Sequence, residues 1–370
     1  MQNLTYAAQL QHKAADLAAL LEGAGPSLPE LQLHGSPPLA YRNRIRLTLA
    51  AIEGRLRAGY IRAMNQGAEL FLPITQCPIA APILWRAAEA FLGVVNRERT
   101  PWLVNSEYRL DQLELFTNAD ESALQFTLYL RSPSKTTSPT IDAAFLALCE
   151  KLRTQVPELT GAGIALLPPA SPDRSRRTEV PRPGPTWGSP GLNYRIAEID
   201  YWVPRGAFFQ VNRFLLPELL QLVTDNRTGP LAWDLYAGVG LFSRALARSF
   251  TQVTAVEIAE LALTALSATK LSNLQAIQST TLDFLTSAVL QRERPSLIVL
   301  DPPRTGAGPE TCALLARIAA PALIFVSCSP QTLPADLKTL TASGYTVAEL
   351  HLLDLFPQTT HIETVAILTR

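Results

Sequence analysis

The sequence predicts an α/β protein whose carboxyl-terminal part is a parallel sheet with helices on both faces. Helical and strand-like segments alternate from residue 204 to the end of the chain, which is the pattern of such a sheet. The strand-like segments are short apolar runs rich in Val, Ile and Leu, as buried parallel strands require. Two of these runs, 296–300 and 322–327, are followed directly by Asp301 and Cys328. Since ligands bind beyond the carboxyl ends of such strands, both residues are expected at a reactive site.

Composition places the chain among ordinary globular proteins. It has 370 residues, enough for two or three domains, and 47% of them are hydrophobic. The 32 basic and 32 acidic residues balance, so net charge decides nothing about binding to nucleic acid.

No apolar run reaches the roughly 20 residues of a membrane span, and we expect no membrane association and no secretory signal. No obligate protein partner is evident. The four cysteines show no metal-binding or disulfide spacing, which favours the cytoplasm.

Three regions follow from the patterning. Residues 1–37 contain a helix, with apolar residues at helical spacing over 4–22, and a Pro/Gly-rich connection. Residues 38–203 form a mixed α+β domain, and residues 204–370 form the α/β domain. In the central domain the expected elements are strands within 41–62 and 104–131 and helices at 82–96 and 141–153. In the last domain they are helices at 213–225, 240–249, 259–271, 309–319 and 332–342, and strands at 231–236, 252–257, 296–300, 322–327, 345–353 and 363–369. The last two strands have no clear helix between them and predict an antiparallel hairpin at one edge of the sheet.

Residues 41–62 are the most basic stretch, with six arginines against one glutamate. Arg42, Arg44 and Arg46 occupy alternate positions, which is the pattern of a strand with arginine on one face. A solvated sheet edge and a surface that grips phosphates explain this pattern equally well.

Residues 170–191 are expected to form a loop, which contains four further arginines. These are Arg174, Arg176, Arg177 and Arg182. An ordinary surface loop is the simpler interpretation for each of them.

A glycine-containing loop, residues 233–241, follows an apolar strand and opens a helix. Gly238 and Gly240 allow a ligand to approach the backbone closely. Glu257 ends the next strand and is placed to accept hydrogen bonds from ribose hydroxyls. S-adenosylmethionine and a dinucleotide both fit, and we favour S-adenosylmethionine because the loop lacks the third glycine of a pyrophosphate site. Asp283, expected in a loop before the next strand, either faces the adenine or serves as an ordinary helix cap.

Cys328 is the candidate nucleophile, since its neighbours are polar and a helix is predicted just after it. We expect that helix to lower the pKa of the thiol, whereas Cys149 and Cys312 lie on amphipathic helix faces and are expected in the core. A thiolate beside a methyl donor is suited to the methylation of C5 of a pyrimidine. Addition of the thiolate to C6 makes C5 nucleophilic, and a base must then remove the C5 proton. Glu363 or His361 is placed to serve as that base.

Several motifs occur in the order typical of the RNA uracil-C5 methyltransferase family, and together the chain resembles that family over nearly its whole length. Those in the α/β domain are Phe208-Phe209-Gln210-Val211-Asn212, Asp234-Leu235-Tyr236-Ala237-Gly238-Val239-Gly240, Asp301-Pro302-Pro303-Arg304-Thr305-Gly306, Ser327-Cys328-Ser329-Pro330, and Phe356-Pro357 with Glu363. Earlier segments that are similar to the family's leading helix and RNA-binding central domain are Gln9-Leu10 with Lys13, Tyr41-Arg42-Asn43-Arg44 and Gln76-Cys77-Pro78-Ile79.

The resemblance implies a Rossmann-like class I methyltransferase domain that uses S-adenosylmethionine, with Cys328 as nucleophile and Glu363 as base. It also implies that Phe208 packs on a uracil flipped out of its stack and that Arg304 supports the catalytic centre. The expected cofactor residues come from the resemblance and the glycine loop, and are Gln210, Tyr236, Gly238, Gly240, Leu241, Glu257, Asp283 and Asp301.

The chain departs from the family at its start. Many relatives begin with a TRAM domain and three clustered cysteines that help to hold an iron–sulfur cluster, whereas Cys77 resembles the remaining ligand and stands alone. One thiolate cannot hold a cluster, so we expect no metal centre. Either a natural loss or a truncated start explains the difference. We expect a ribosomal RNA substrate.

Four alternatives remain at this point. They are the same reaction on the T-loop uridine of transfer RNA, methylation of an amine, RNA binding without catalysis, and a nicotinamide dehydrogenase.

Overall fold

The computed structural model describes residues 4–25, 28–64, 69–98, 109–131, 139–169, 180–268 and 270–370. The chain divides into two compact units. The C-terminal unit comprises Met1–Pro38, Arg195–Val203 and Ala207–Arg370, and the central unit comprises Leu39–Tyr194 and Pro204–Gly206. The N-terminal helix, predicted in a region of its own, is therefore part of the C-terminal unit.

The described elements are as follows, in chain order. The chain begins with α1 (Tyr6–Leu21) and β1 (Leu31–His34). Then come β2 (Arg44–Ile52), β3 (Arg55–Ala63), β4 (Glu69–Pro73), α2 (Pro82–Glu98), β5 (Arg109–Thr117), β6 (Leu124–Arg131), α3 (Pro139–Gln155), β7 (Leu159–Leu167), β8 (Arg182–Gly188), β9 (Gly191–Ile196) and β10 (Ile199–Pro204). The last are α4 (Leu216–Thr224), β11 (Gly229–Leu235), α5 (Leu241–Leu246), β12 (Phe250–Glu257), α6 (Glu260–Ser267), β13 (Leu274–Gln278), α7 (Thr281–Gln291), β14 (Leu297–Leu300), α8 (Gly308–Ile318), β15 (Ala322–Ser327), α9 (Leu333–Ala342), β16 (Thr346–Leu353) and β17 (Glu363–Thr369).

In the described residues of the C-terminal unit, one sheet has the strand order β1-β16-β17-β15-β14-β11-β12-β13. β11, β12, β13, β14 and β15 pair in parallel, whereas β17 is antiparallel to both β15 and β16. The chain builds outward from β11 to β13 and then returns to place β14 on the other side of β11. This Rossmann-like arrangement confirms the predicted α/β fold, and it puts a topological switch point between β11 and β14.

The predicted antiparallel pair is present, but its position at the edge of the sheet is wrong. β17 lies inside the sheet, and β1 pairs in parallel with β16 on the outer side, with Leu31 opposite Leu350. The predicted Pro/Gly-rich connection after the first helix therefore contains a strand. Four residues with one neighbouring strand carry too little periodicity to reveal a strand from sequence.

The core of the C-terminal unit explains the apolar runs. All four residues of β14 are buried, and Trp233 of β11 is fully buried, with its ring centroid 4.9 Å from that of Phe284 on α7. Strands covered on both faces have no solvent side, so their sequences are continuous apolar runs rather than alternations.

In the described residues of the central unit, a second sheet has the order β4-β3-β2-β5-β6-β7-β8. Ile45 and Leu47 of β2 enter its core, with Phe91 of α2 and Phe145 of α3. The alternate residues of β2 face the other way.

Two of those alternate residues of β2 are arginines that stack on aromatic rings. The guanidinium carbon of Arg44 lies 4.1 Å from the ring centroid of Phe116, and that of Arg46 lies 3.8 Å from the ring of Tyr129. One face of β2 therefore carries arginine, as predicted. The sheet-edge interpretation is wrong because β2 lies between β3 and β5.

The expected loop at 170–191 is partly a strand. Arg182–Gly188 forms β8, which is antiparallel to β7. The prolines and glycines of this segment hide the strand pattern from sequence reasoning. Arg174, Arg176 and Arg177 lie outside the described residues. Across the described parts of the chain, none of the helices combines the length and apolar character of a bilayer span.

A buried ion pair joins α1 to the end of β16. Lys13 is 2% exposed and Asp354 is fully buried, and Nζ of Lys13 donates to Oδ1 of Asp354 at 2.7 Å. Replacing one partner of such a pair leaves an uncompensated charge in the interior.

We expect Lys13→Met to lower the free energy of unfolding by about 3–5 kcal/mol, because Asp354 would lose its cation. The matched control is Lys338→Met, since Lys338 is exposed on α9 and should change stability by no more than about 0.5 kcal/mol. Urea denaturation of both variants measures the difference. Equal midpoints for the two variants would contradict a structural role for the ion pair.

Candidate active site

The switch point places two of the predicted residues side by side. β11 and β14 pair in parallel with Leu235 opposite Leu300, and the N–H of Asp301 donates to the carbonyl of Leu235 at 3.3 Å. Tyr236 and Asp301 therefore follow adjacent strand ends, at the crevice where open α/β sheets bind ligands.

The loop after β11 turns sharply into α5. Tyr236 has φ 61° and Gly240 has φ 88°, and a Cβ on Gly240 would lie 2.5 Å from Leu266, so this position requires glycine. At Gly238 (φ 57°), by contrast, a Cβ would meet no atom of the described residues within 4 Å. The backbone of the loop is thus open to a ligand at Gly238. Leu241 begins α5 with a buried side chain, so a ligand would meet it only through its backbone.

Glu257, the last residue of β12, fastens this loop. One carboxylate oxygen accepts the N–H of Gly238 at 2.8 Å, and the other accepts the N–H of Ala259 at 2.7 Å. Because each carboxylate oxygen has two lone-pair sites, Glu257 can still accept hydrogen bonds from the hydroxyls of a ribose.

Asp283 lies in the first turn of α7, so its predicted position in a loop is wrong. The hydroxyl of Thr280, the N-cap residue, accepts the N–H of Asp283 at 3.1 Å and donates to its carboxylate at 2.6 Å. The helix-cap alternative is also wrong, because the N-cap is Thr280 and Asp283 is the third residue of the helix. Sequence reasoning went wrong here because it missed β13 and α7. Contact of Asp283 with adenine stays a prediction.

Two exposed apolar residues that sequence reasoning missed follow these polar ones. Ile258 is 59% exposed directly after Glu257, and Leu282 is 36% exposed directly before Asp283. Apolar surface next to carboxylates fits a ligand with a flat aromatic base and a ribose. The signal in the sequence was their position beside the predicted acidic residues.

Asp301 is held by Gln210, whose Nε2 donates to Oδ2 of Asp301 at 3.3 Å. Burial raises the pKa of Asp301 to about 7, with a further contribution from the charge of Asp234, whereas the hydrogen bond from Gln210 lowers it. A cationic ligand would favour the charged carboxylate. S-adenosylmethionine carries a sulfonium and an ammonium group, so this acidic crevice fits it.

Cys328 and Glu363 are brought together by antiparallel pairing. Ser327, the last residue of β15, lies opposite Thr364 of β17. The next step of the same register sets Cys328 beside Glu363. Glu363 is 2% exposed, and its Oε1 has no hydrogen-bond partner among the described residues. A thiol and a carboxyl group from neighbouring strands thus share one end of the sheet.

The thiol of Cys328 is not activated by a helix, contrary to our expectation. Its pKa is raised to about 11, chiefly by burial and then by the negative charges of Glu363 and Asp301, whereas Arg304 lowers it. α9 begins only at Leu333, and the field of a helix terminus fades within one turn. Cys149 and Cys312 are fully buried, as predicted.

The same environment acts on Glu363. Burial raises the pKa of this carboxyl group well above its ordinary value, the charge of Asp301 adds to the effect, and Arg304 opposes it. Arg304 is thus close enough to influence both Cys328 and Glu363.

A cavity of about 800 Å³ opens beside Cys328. Ligand sites in proteins commonly have 300–1,000 Å³, so this cavity has room for a nucleoside. Its lining comes from α1, from the segments that follow β14 and β15, and from the loop before β17, and includes Lys13, Asp16, Leu17, Leu20, Arg304, Cys328, Pro330, Thr360 and His361.

Phe208 presents an open aromatic face. It is 68% exposed, whereas Phe209 is 3% exposed and its ring centroid lies 6.3 Å from that of Tyr201. Gln210 follows and contacts Asp301. An exposed ring two residues from the crevice is a suitable surface for a stacked base.

Lys13 and Asp354 belong to the surroundings of this site, although sequence reasoning gave them no role. The buried residues of α1 are Gln9, Lys13, Leu17 and Leu21, which recur every four positions. Polar residues on the apolar stripe of a helix were the available signal, since such residues are buried only when paired.

The structure also describes the surroundings of Cys77, which lies in the central unit. It is buried, with its sulfur 3.3 Å from the hydroxyl oxygen of Tyr60. Within the described ranges, no group of three or more His, Cys, Asp or Glu side chains is placed to hold a metal ion. The absence of an iron–sulfur cluster stays a prediction.

Known proteins resemble the chain over different extents. An uncharacterized RNA methyltransferase of Thermotoga maritima is 36% identical over 185 residues, which cover 47% of this chain and 42% of that protein. A Clostridium acetobutylicum relative is 33% identical over 50% of this chain and 41% of that protein, so the chain spans less than half the length of either relative. The 23S rRNA (uracil(747)-C(5))-methyltransferase RlmC of Salmonella paratyphi B is 28% identical, over 98% of this chain and 93% of that protein.

The fold has a solved counterpart. The Pyrococcus abyssi tRNA (uracil-54, C5)-methyltransferase, in complex with S-adenosyl-L-homocysteine, is 22% identical with a TM-score of 0.75, covering 100% of this chain and 84% of that one. Residues 191–370, which contain the switch point, Cys328 and Glu363, match the family described as tRNA (Uracil-5-)-methyltransferase.

Proposed function

We propose that this protein methylates C5 of a uridine in structured RNA, through a transient bond between Cys328 and C6 of the uracil. The placement of Cys328, which lines the cavity, beside Glu363 carries the proposal. A nucleophile and a carboxyl group at that spacing suit a reaction that adds to one carbon of a ring and removes a proton from the next.

The residues around the switch point would hold S-adenosylmethionine, which supplies the methyl group when bound. Asp301, kept in place by Gln210, would face its positive charge. Glu257 would bind the ribose, and Ile258, Leu282 and Asp283 would contact the adenine. Tyr236, Gly238, Gly240 and the backbone of Leu241 would complete the contact surface.

The uridine would leave its stack and place its ring against Phe208. The thiolate of Cys328 would then form a bond to C6, and the electrons of the C5–C6 double bond would move to C5. Because burial and two carboxylates oppose the thiolate, the charge of Arg304 is the largest of the contributions that favour it.

Once C5 carries the methyl group, its hydrogen must be removed. Glu363 would take this proton, the C5–C6 double bond would form again, and Cys328 would depart as a thiolate. Glu363 suits this step because its raised pKa makes it a stronger base than an ordinary carboxylate.

Ribosomal RNA is the proposed substrate, with transfer RNA as the alternative. The similarity to the 23S rRNA enzyme extends over 98% of the chain, which favours the first. In the central unit, Arg46, Arg55, Arg57 and Arg62 are exposed and would contact phosphates.

We expect labelled S-adenosylmethionine to transfer its methyl group to C5 of uridine in unmodified ribosomal RNA. Cys328→Ala should abolish this activity because no other described group replaces the thiol. The matched control is Cys77→Ala, in the central unit, which should keep it. Nucleoside mass spectrometry provides the measurement, and a parallel reaction with transfer RNA decides between the substrates. Full activity of Cys328→Ala would refute the mechanism and revive methylation of an amine.

Glu257→Ala should weaken the binding of S-adenosylmethionine by about 10- to 100-fold, because charge-assisted hydrogen bonds of about 1.5–3 kcal/mol are lost. The matched control is Glu260→Ala, three residues on and exposed at the start of α6. Isothermal titration calorimetry measures both dissociation constants. Equal affinities for the two variants would exclude Glu257 from the cofactor site. Absence of binding by the unaltered protein would revive the dehydrogenase alternative.

The formation of a covalent complex with 5-fluorouridine RNA should become faster with rising pH. The thiol has a raised pKa of about 11, so the thiolate fraction grows about tenfold per pH unit below it. Glu363→Gln removes a charge that raises this pKa. At an alkaline pH at which Glu363 is charged, the variant should therefore form the complex faster than the unaltered protein, although it cannot release a methylated uridine.

Denaturing electrophoresis of the protein–RNA complex over a pH series gives these rates. The matched control is Glu310→Gln, which changes an exposed carboxylate of α8 and should leave the pH profile unchanged. A profile for Glu363→Gln identical to that of the control would show that Glu363 does not influence the thiol. Absence of any complex with the unaltered protein would favour RNA binding without catalysis.

A further inference from the structure

The side chain of Lys13 makes three hydrogen bonds inside the C-terminal unit. Its Nζ donates to Oδ1 of Asp354 at 2.7 Å, to the carbonyl of His361 at 2.9 Å and to the carbonyl of Phe356 at 3.1 Å. An ammonium group has three protons, so all of its donors are used. Each acceptor belongs to the segment 354–362, which joins β16 to β17.

A second polar residue of α1 holds the same segment. Oε1 of Gln9 accepts the N–H of Gln358 at 3.1 Å, and Nε2 of Gln9 donates to the side-chain oxygen of Gln358 at 3.0 Å. Gln358 has φ 67°, a conformation that a residue other than glycine adopts only when its surroundings hold it there. The helix therefore fixes both the ends and the middle of the segment.

The segment determines where Glu363 lies. Glu363 is the first residue of β17, and its sheet pairing is with Leu353 of β16, at the end of the ladder. A residue at a strand end is held by fewer backbone hydrogen bonds than one within the strand. The position of its side chain therefore depends on the segment that precedes it. On that side Ile362 is buried in the core, and Lys13 donates a hydrogen bond to the carbonyl of His361, two residues before Glu363.

We propose that Lys13 and Gln9 are positioning residues for the release step, because they hold the carboxylate of Glu363 beside the base bonded to Cys328. This inference rests on the proposed function and extends it to α1, to which that mechanism assigns no role. The first step, attack by Cys328, depends on the end of β15, which α1 does not hold through these contacts. Loss of the anchors should therefore slow release much more than attack.

The test needs variants that fold. Lys13→Met alone leaves Asp354 charged and unpaired, whereas the double variant Lys13→Met with Asp354→Leu removes both charges together, and such paired replacements are often neutral for stability. The second variant is Gln9→Leu, which removes the contacts with Gln358 without a buried charge. The matched control is Lys338→Met. Thermal unfolding and calorimetric binding of S-adenosylmethionine check the fold of each variant.

Two rates are measured for each protein by denaturing electrophoresis. Capture of 5-fluorouridine RNA reports attack by Cys328, since fluorine at C5 prevents release. With ordinary uridine RNA, the amount of covalent complex during turnover and the rate of product formation report release. For the double variant we expect capture within about twofold of the unaltered protein, release slower by about 10- to 100-fold and a covalent complex that accumulates on ordinary RNA, because a displaced catalytic group loses rate on that scale.

Each outcome decides the matter. Accumulation of the complex in the double variant, and to a smaller degree in Gln9→Leu, supports the proposal. If capture and release fall by the same factor, or if neither changes, the residues have only a structural role and the proposal is wrong. If the double variant does not fold, the result for Gln9→Leu decides alone. Failure of the unaltered protein to capture 5-fluorouridine RNA would instead refute the proposed function.

Discussion

The antiparallel pairing of β17 with β15 is the constraint on which the candidate site depends. In a purely parallel sheet, every carboxyl end lies at one edge and every amino end at the other. Because β17 runs the opposite way, its amino end lies on the side of the sheet where the carboxyl ends of β11, β14 and β15 lie. Glu363 thereby reaches Cys328 without an insertion in any loop. The sheet supplies the thiol from one strand direction and the carboxyl group from the other.

The second constraint is the concentration of acidic groups in a poorly hydrated crevice. Burial raises the pKa values of Asp301, Glu363 and Cys328. Ionisation of one carboxyl group makes ionisation of its neighbours less favourable. Arg304 opposes this effect on two of them. A cationic ligand at Asp301 would do the same for the third, and the protonation states of the site would therefore depend on what is bound.

Part of the fold follows from sequence because its elements are regular. The parallel strands β11, β12, β14 and β15 are continuous apolar runs between helical segments. Elements without that regularity were missed. β1 has only four residues, β8 is rich in proline and glycine, and β13 with α7 was taken for a loop, which misplaced Asp283. The arginines of β2 were correctly assigned to one face, but only the strand order showed that β2 is interior.

The sequence by itself determined the chemistry that is available. It identified a cysteine after one apolar strand, an aspartate after its neighbour, a glycine loop with Glu257, and a carboxylate at the start of the last strand. Tertiary structure alone decided how these groups act on each other. The register beside β15 puts Glu363 next to the thiol, and burial, which depends on packing from distant segments, raises the pKa of Cys328 instead of lowering it. The roles of Gln9 and Lys13 were equally invisible, because their partners lie more than 300 residues away in the chain.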